Sequence, residues 1–341
     1  MISAAQITLI DEILACSTQK QLALYVVGGV VRDVLLGEKL EDRDIDIVVA
    51  GNAIPFGEAC VERVGGVLKK YPDFLTCKIV GLRSGFEVDE IDLASVRTER
   101  YLRSGALPEV KLAQNIYEDL ARRDFTINAM ALPLEVLCGY ARGSYSLLQL
   151  ESEIIDSYEG KKDLEGKQVR VLHEKSFLDD PTRIFRAVRY SARLDAELED
   201  QTASLMIAAL KERALDAISE FRKLNELRKI LQEPANLKAL ELIERFDLLN
   251  YWGSLNHDQI SILKSRIAKL RCETDARTGW SQASHLLFVL GLESEFRKTY
   301  FKTLGYSKGQ IIEWEKSLER IKRSSAGELS PVELMVQNAC K

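Results

Sequence analysis

The stretch YVVGGVVRDVLLGEKLEDRDIDIVVAG, residues 25–51, decides the fold of the N-terminal half. It opens with a short apolar run of the strand type, and Gly28 and Gly29 follow at once. A glycine pair turns the backbone sharply and lets a phosphate approach main-chain N–H groups without a Cβ in the way. Residues 30–36 then have helical spacing, so the pattern predicts a strand, a turn and a helix.

Arg32 and Asp33 fall in the first turn of this predicted helix. A helix N-terminus attracts anions, and a guanidinium offers a fork of donors to a phosphate. The G-x-x-x-x-G-K-[ST] pattern does not occur in the chain, so the predicted phosphate site is not a P-loop.

A second strand is predicted over DIDIVVA, residues 44–50. Period two puts Asp44 and Asp46 on one face of it. Two carboxylates side by side repel each other and make sense if divalent cations bridge them, which indicates a site for two Mg²⁺ ions. A lone D-x-D is usually an exposed strand end, and a lone glycine pair is usually only a turn; the ordered combination carries the prediction.

The register of the carboxylate pair has two readings. Counting forward from the glycine pair selects Asp42 and Asp44, whereas counting back from the apolar strand selects Asp44 and Asp46. We prefer the second, because a loop tolerates an insertion, whereas a slip inside the strand would turn both carboxylates to the other face.

Two further motifs lie downstream, RRDFTINAMAL at 122–132 and DDPTRIFRAVRY at 179–190. We expect a helix over 115–132, with Asp124 and Asn128 one turn apart. A second helix is predicted from Asp180 to about residue 194, where acidic and basic residues recur every three positions: Asp180, Arg183, Arg186 and Arg189. An arginine can donate to the acceptors of cytosine or adenine, while an aspartate accepts from the exocyclic amine that both bases carry. The alternative is a solvated basic helix face.

Together these motifs resemble the class II CCA-adding enzyme and bacterial poly(A) polymerase family of nucleotidyltransferases, over about residues 23–232 and in family order. The matching residues are Gly28, Gly29, Arg32, Asp33, Asp44, Asp46, Arg122 to Ala129, Asp179, Asp180, Arg183, Arg186 and Arg189.

This resemblance implies roles for most of these positions and places Asp33 among the residues that bind the nucleotide. Gly28, Gly29 and Arg32 would hold the triphosphate, and Asp44 and Asp46 would hold two Mg²⁺ ions. The nucleotide would be bound by Arg123, with Asp124 and Asn128 near its sugar. Asp180 and Arg183 would select CTP and ATP, while Arg186 and Arg189 would support the triphosphate or lock Asp180. The partner implied is the 3′ acceptor end of tRNA.

Three details refine the resemblance. Residues 100–114 are predicted to be a mobile loop, and 22 residues separate Glu99 from Arg122, a full-length loop that argues against a CC-only enzyme. Asp179 stands where CCA-adding members typically have Glu, which puts full C-then-A specificity in question. Asp92 is either a third acidic group near the metals or a solvent-facing strand residue.

The predicted fold class is α+β. A nucleotidyltransferase head with a mixed sheet of about five strands is expected over 1–150, a helical neck over 151–235, and a helical body that binds tRNA over 236–341. The neck would carry the base-selecting helix 180–194. Within it, ISEFRKLNELRKIL, residues 218–231, resembles the family's neck helix.

Composition is consistent with a cytoplasmic enzyme. Net charge is −5, yet residues 251–341 carry 14 Lys and Arg against 10 Asp and Glu, a mild bias toward an RNA backbone. The six cysteines are scattered without C-x-x-C, which favours free thiols in a reducing compartment. We expect no signal peptide and no membrane span.

The motifs leave several activities open. An A-adding-only enzyme and a poly(A) polymerase share them, and a transferase acting on a small molecule is disfavoured by the long helical half. A catalytically inactive RNA-binding relative is disfavoured by the intact Asp44, Asp46 and Arg183.

Overall fold

The computed structural model describes residues 2–38, 40, 45–86, 88–252, 257–273, 284, 287–289, 292, 294–323 and 336. The chain divides into two compact units. The first comprises Met1–Arg103 and Leu107–Ser176, and the second comprises Ser104–Ala106 and Phe177–Lys341. The predicted division into head, neck and body stays a prediction.

The first unit alternates helices with short strands, as an α+β domain does. Its strands are β1 (Leu24–Val27), β2 (Ile47–Val49), β3 (Val67–Tyr71), β4 (Thr76–Val80), β5 (Glu90–Ser95), β6 (Arg97–Arg100), β7 (Glu109–Leu112), β8 (Ala131–Pro133) and β9 (Gln168–Val169). Its helices are α1 (Ala4–Lys20), α2 (Gly29–Leu35), α3 (Ala53–Val64), α4 (Ile116–Ala121), α5 (Leu134–Ala141), α6 (Leu147–Ser152) and α7 (Gly160–Glu165).

Six strands form one mixed sheet in the order β3-β4-β5-β2-β1-β8. Strands β2 and β5 run parallel, with Ile47 opposite Leu93, and the other pairs are antiparallel. At one edge, β3 pairs with β4, and most of its side chains are exposed. The α+β prediction is confirmed, with one strand more than the five expected.

The two faces of the sheet support cores of unequal size. The larger core packs residues such as Val26, Ile47 and Leu93 against α1, α2, α3 and α5. The smaller one packs Val27 and Val48 against α4. Successive strand residues therefore alternate between two apolar faces, so the sheet is buried on both sides at its centre.

The helix predicted over 115–132 is wrong. Helix α4 ends at Ala121, Phe125 is extended (φ −131°, ψ 150°), Thr126–Asn128 form one 3₁₀ turn, and the sixth sheet strand, β8, follows. The cause is tertiary: Phe125 is fully buried and forms an antiparallel bridge with Val171. Burial of this aromatic side chain overrides the local helical spacing.

The loop predicted over 100–114 is more ordered at its ends than expected. Strands β6 and β7 form a hairpin with Arg97 opposite Leu112 and Arg100 opposite Glu109. The hairpin is rich in charged residues, so it lacks the apolar alternation by which strands are recognised in a sequence. Ser104–Ala106, at its tip, cluster with the second unit.

The second unit is helical. Its elements are α8 (Ser176–Asp179), whose first residue falls in the first unit, α9 (Thr182–Arg193), a two-residue strand β10 (Glu197–Leu198), α10 (Asp200–Lys211), α11 (Glu220–Gln232), α12 (Asn236–Arg245), α13 (His257–Glu273), α14 (Ser294–Thr303) and α15 (Lys308–Arg323). Phe185 on α9 stacks on Trp252 with ring centroids 4.8 Å apart, and the Trp252 indole donates to the Lys223 carbonyl at 3.1 Å. These contacts bury the apolar face of α9 and leave its polar residues for other contacts. The helices predicted near 180–194 and 218–231 are confirmed.

No helix among the described residues is both long enough and apolar enough to cross a membrane.

Candidate active site

Several of the predicted site residues meet at one end of the first unit's sheet. Strands β1 and β2 are antiparallel, with Val26 opposite Ile47, so the glycine turn after β1 and Asp46 before β2 lie at the same end. Asn128 reaches that end too, since it shortly precedes β8, whose Ala131 pairs with Val27. The topology thus gathers residues far apart in the chain.

Gly28 makes the turn that the glycine pair predicts. Its φ is +66° and its ψ is −121°, a conformation that residues with a Cβ rarely adopt. A Cβ at this position would lie 3.1 Å from Nη1 of Arg123 and 3.4 Å from the Asn128 carbonyl oxygen. The absence of a side chain therefore lets Arg123 lie against the backbone of the turn.

Arg32 is buried beside this turn, with its side chain only 2% exposed. Its Nε and Nη2 donate to Oδ1 of Asp33 at 2.9 and 2.8 Å, and its Nη1 donates to Oδ1 of Asn128 at 2.7 Å. Asn128 in turn donates to Oδ1 of Asp124 at 3.3 Å. A buried guanidinium with these partners orients the Asn128 amide, whereas a role at the triphosphate stays a prediction.

Asp119 on α4 is a site residue that the sequence analysis missed. It is fully buried, and its two oxygens accept from Arg122 (2.8 Å from Nη2) and Arg123 (2.9 Å from Nη2). Burial is the largest single influence on the pKa of this carboxyl and acts to raise it, but the Arg123 and Arg122 charges together hold the pKa below its usual value. Asp119 is therefore ionised at neutral pH.

Glu99, on strand β6, joins the same cluster. Its Oε1 accepts from Nη1 of Arg122 at 2.7 Å and from Nε of Arg97 at 3.3 Å. Three guanidiniums (Arg97, Arg122 and Arg123) thus surround two carboxylates, which leaves an excess of one positive charge in the cluster. This excess favours an anionic ligand.

The acidic residues are described only in part. Asp44 and Asp42 lie outside the described residues, so the choice of metal pair stays a prediction. Asp46 is exposed directly before β2. Asp92 on β5 faces Lys78 of β4, whose Nζ lies 3.1 Å from Oδ2 of Asp92, and its side chain is 39% exposed. That ion pair engages one of the two carboxylate oxygens, and a role of Asp92 as a third metal ligand stays a prediction.

In the second unit, Asp180 lies two residues before α9, and its two oxygens are used differently. Oδ1 accepts from the Thr182 amide (3.1 Å), the Thr182 hydroxyl (2.7 Å) and Nη2 of Arg222 (2.7 Å). Nη1 of Arg222 donates to the carbonyl of Gly105 at 2.8 Å. Oδ2 of Asp180 accepts no hydrogen bond from the residues that the structure describes, so it is available to a donor on a ligand.

The arginines of α9 separate along the helix. Arg183 is buried, Arg186 donates to the Tyr190 hydroxyl at 3.1 Å, and Arg189 donates to Oε1 of Glu233 at 3.2 Å. A three-residue repeat drifts about 60° per step on a helix of 3.6 residues per turn, so Arg183 and Arg189 lie about 120° apart around the helix axis. The predicted polar stripe therefore winds around α9.

The residues that sequence reasoning missed carry weak signals. Asp119 follows Glu118 in a short acidic turn, which alone is typical of the start of a helix. Arg222 lies in the neck-helix segment 218–231, but its partner Asp180 is 42 residues away. Such pairs become visible only when the fold brings them together.

The class of protein is a nucleotidyltransferase-like head followed by a helical unit. The head is recognised by its sheet with helices on both faces, by the glycine turn beside an arginine, and by the acidic residue at the same sheet end. Residues 24–170 match the Poly A polymerase head domain family. This part of the chain is similar to that head domain, and the resemblance stated from the motifs is confirmed.

Known relatives extend the similarity into the helical unit. The chain is 41% identical over 231 residues to an A-adding tRNA nucleotidyltransferase of Geobacter sulfurreducens, covering 68% of this chain and 24% of the relative. It is 38% identical over 230 residues to an A-adding tRNA nucleotidyltransferase of Aquifex aeolicus, covering 67% and 25%. The chain therefore spans about a quarter of the length of these two relatives.

Among solved structures, the chain is similar to a Thermotoga maritima CCA-adding enzyme complexed with tRNA. The TM-score is 0.65 at 28% identity, and the match covers 100% of this chain and 80% of that one. The fold similarity thus includes both units, each of which has a counterpart in that enzyme.

Proposed function

We propose that this protein adds CMP and AMP, without a nucleic-acid template, to the 3′ end of tRNA in the cytoplasm. One observation carries the proposal. Gly28 lacks a Cβ where Arg123 lies against the turn, at the sheet end that also holds Asp46. A cradle of glycine backbone and guanidinium beside a carboxylate suits a triphosphate with its metal ions.

The donor set fits magnesium. Asp44 and Asp46 would hold two Mg²⁺ ions, because carboxylate oxygens are the ligands that this hard cation prefers. When bound, the ions make the RNA 3′-hydroxyl a better nucleophile and neutralise the charge that develops on pyrophosphate.

The chain's own groups bind and orient the nucleotide. Arg123 contacts the triphosphate, since its Nη1 lies beside the glycine turn that would hold the phosphates. Arg32 keeps the amide of Asn128 turned toward Asp124. Asn128 and Asp124 contact the sugar.

Asp180 and Arg183 read the base. With Oδ1 of Asp180 fixed by Thr182 and Arg222, its Oδ2 accepts from the exocyclic amine of cytosine or adenine. Uracil and guanine present a carbonyl oxygen at the corresponding position and are disfavoured.

A second candidate is an A-adding-only enzyme. Two relatives at 38% and 41% identity are A-adding tRNA nucleotidyltransferases. Asp179, in place of the family's typical glutamate, also favours narrower specificity. In that case a partner enzyme would supply the CC end.

Primer extension on tRNA transcripts distinguishes the two. The enzyme receives Mg²⁺ with CTP, ATP or both, on transcripts ending at the discriminator base or in CC, and products are resolved at single-nucleotide length. Addition of C, C and A to the discriminator transcript is expected. Addition of a single A, and only to the transcript that ends in CC, would establish an A-adding enzyme. Addition of long A tails would establish a poly(A) polymerase. No extension of any transcript would refute the catalytic proposal.

A further inference from the structure

Asp119 connects two parts of the first unit through its two oxygens. Oδ2 accepts from Nη2 of Arg123 at 2.9 Å. Oδ1 accepts from the Arg97 amide at 3.2 Å and from Nε and Nη2 of Arg122 at 3.0 and 2.8 Å. One buried carboxylate thus has Arg123 on one side and the β6–β7 hairpin on the other.

The Arg123 side determines which donors remain for a ligand. With Nη2 bound to Asp119, the guanidinium is held so that Nη1 lies 3.1 Å from the position of a Cβ on Gly28. Its Nε is buried and makes no hydrogen bond to the described part of the chain. A buried donor without a partner is costly, so this arrangement suits a group that receives an anion.

The hairpin side is a continuous set of ion pairs and hydrogen bonds. Arg122 donates to Oε1 of Glu99 at 2.7 Å, and the Tyr101 hydroxyl donates to Oε2 of Glu99 at 3.1 Å. Tyr101 is the first residue after β6 and lies at the base of the 100–114 loop, whose tip is Ser104–Ala106. The loop base and Arg123 therefore share Asp119 as a common acceptor.

We propose that Asp119 is a positioning residue for nucleotide binding, which fixes Arg123 beside the glycine turn and couples it to the base of the 100–114 loop. The inference rests on the proposed function, because Arg123 must be a nucleotide ligand. Without the carboxylate, the Arg97, Arg122 and Arg123 guanidiniums repel one another, and Arg123 loses the contact that orients it.

The test is a double-mutant cycle on the dissociation constants of Mg-ATP and Mg-CTP, measured by isothermal titration calorimetry. Asp119→Asn keeps the shape of the side chain and removes its charge. Loss of one charge-assisted hydrogen bond to the ligand-binding guanidinium is expected to weaken binding about tenfold. In an Arg123→Met background the same substitution should have no further effect, because it acts through Arg123.

A matched control is Asp163→Asn. Asp163 is another buried carboxylate of the first unit, and its Oδ2 accepts from Arg170 Nε at 2.8 Å and from the Thr126 hydroxyl at 2.5 Å; the asparagine oxygen can still accept from that hydroxyl. This variant should lose stability to urea as Asp119→Asn does, while its nucleotide dissociation constants stay within about twofold of the wild type. Asp119→Glu, which keeps the charge, should bind nucleotide more tightly than Asp119→Asn.

The outcomes separate the inference from the proposed function. Failure of the wild type to bind Mg-ATP and Mg-CTP would refute both. Two outcomes would overturn the inference alone. The first is that Asp119→Asn binds nucleotide as tightly as the wild type. The second is that Asp119→Asn weakens nucleotide binding by the same factor in the Arg123→Met background as in the wild type. If Asp119→Asn does not fold, the cycle is run with Asp119→Glu and Arg123→Met: non-additive effects support the inference, and additive effects overturn it.

Discussion

Nη2 of Arg222 donates a hydrogen bond of 2.7 Å to Oδ1 of Asp180, at the start of α9. The same guanidinium holds the Gly105 carbonyl at 2.8 Å, so one side chain fixes both the carboxylate and the loop tip. Because Thr182 also donates to Oδ1, the carboxylate cannot rotate without breaking several hydrogen bonds, and Oδ2 keeps one direction. A fixed acceptor discriminates between bases better than a mobile one.

Replacing Arg222 should therefore relax base selection. In Arg222→Met the ratio of kcat/KM for ATP over GTP should fall about tenfold, the equivalent of one charge-assisted hydrogen bond. The measurement is single-nucleotide primer extension with each of the four nucleotides. Arg213→Met is the control, since Arg213 is an exposed arginine of the same unit that pairs with Asp216. Equal loss with all four nucleotides would contradict the prediction.

Gly28 and Gly37 share a positive φ, so alanine at the two positions separates backbone strain from ligand contact. Gly28 has φ +66° and Gly37 has φ +68°, but only a Cβ on Gly28 meets other atoms within 4 Å. Alanine at either position should lower the free energy of unfolding by about 1–3 kcal/mol. Only Gly28→Ala should also weaken Mg-ATP binding, because it displaces Arg123. Binding loss in both variants would indicate a general effect of strain.

The acidic residues at the sheet end should differ in importance. Asp46→Asn should lower kcat about a hundredfold or more, because it removes a proposed metal ligand. Asp92→Asn should lower kcat only slightly, since Asp92 is half-exposed and paired with Lys78. Rates are compared over a range of Mg²⁺ concentrations. A comparable defect in both variants would instead identify Asp92 as a third acidic ligand.

Stability in acid should depend on Asp119. Its pKa in the folded protein lies below that of the unfolded chain, near 3.9, despite the opposing effect of burial. A carboxylate of this kind stabilises the fold above about pH 4, and the contribution is lost as the pH falls through the folded-state pKa. The difference in unfolding free energy between wild type and Asp119→Asn should therefore shrink below about pH 4 in urea titrations. A difference independent of pH would exclude this origin.

The buried thiols should resist alkylation. Cys16, Cys60, Cys77 and Cys138 are free and buried, and burial raises the pKa of Cys77 to about 12. Because the thiolate is the reactive form, native protein at pH 8 should incorporate iodoacetamide slowly at these four positions, and urea should make them reactive. Peptide mass spectrometry reports each position separately. Rapid native labelling of Cys77 would contradict its burial.

The sequence predicted the elements whose pattern is local. The glycine turn, the strand carrying Ile47 and the helix after Pro181 were recognised because period and composition agree with the structure. Strand β8 was not recognised, since it is three residues long and follows a segment with helical spacing. There, burial of Phe125 decides the backbone conformation, and a single sequence does not reveal that burial.

The same division holds for the candidate site. Arg123, Asp124 and Asn128 were selected from one motif. In the structure, Arg123 and Asn128 lie next to Gly28, and Asn128 donates a hydrogen bond to Asp124. Asp119 and Arg222 were not selected, because their importance lies in contacts between segments. A carboxylate becomes an orienting group only when several arginines converge on it, and that depends on packing.

The edge of the sheet at β3 has a consequence for the behaviour of the protein at high concentration. A strand paired on one side offers a row of backbone donors and acceptors to any second chain. Lys69 and Lys70 occupy adjacent positions there and point to opposite faces, with Lys70 paired to Glu58. Ammonium groups on both faces oppose the approach of an identical edge, so we expect Lys69 and Lys70 to disfavour self-association through β3.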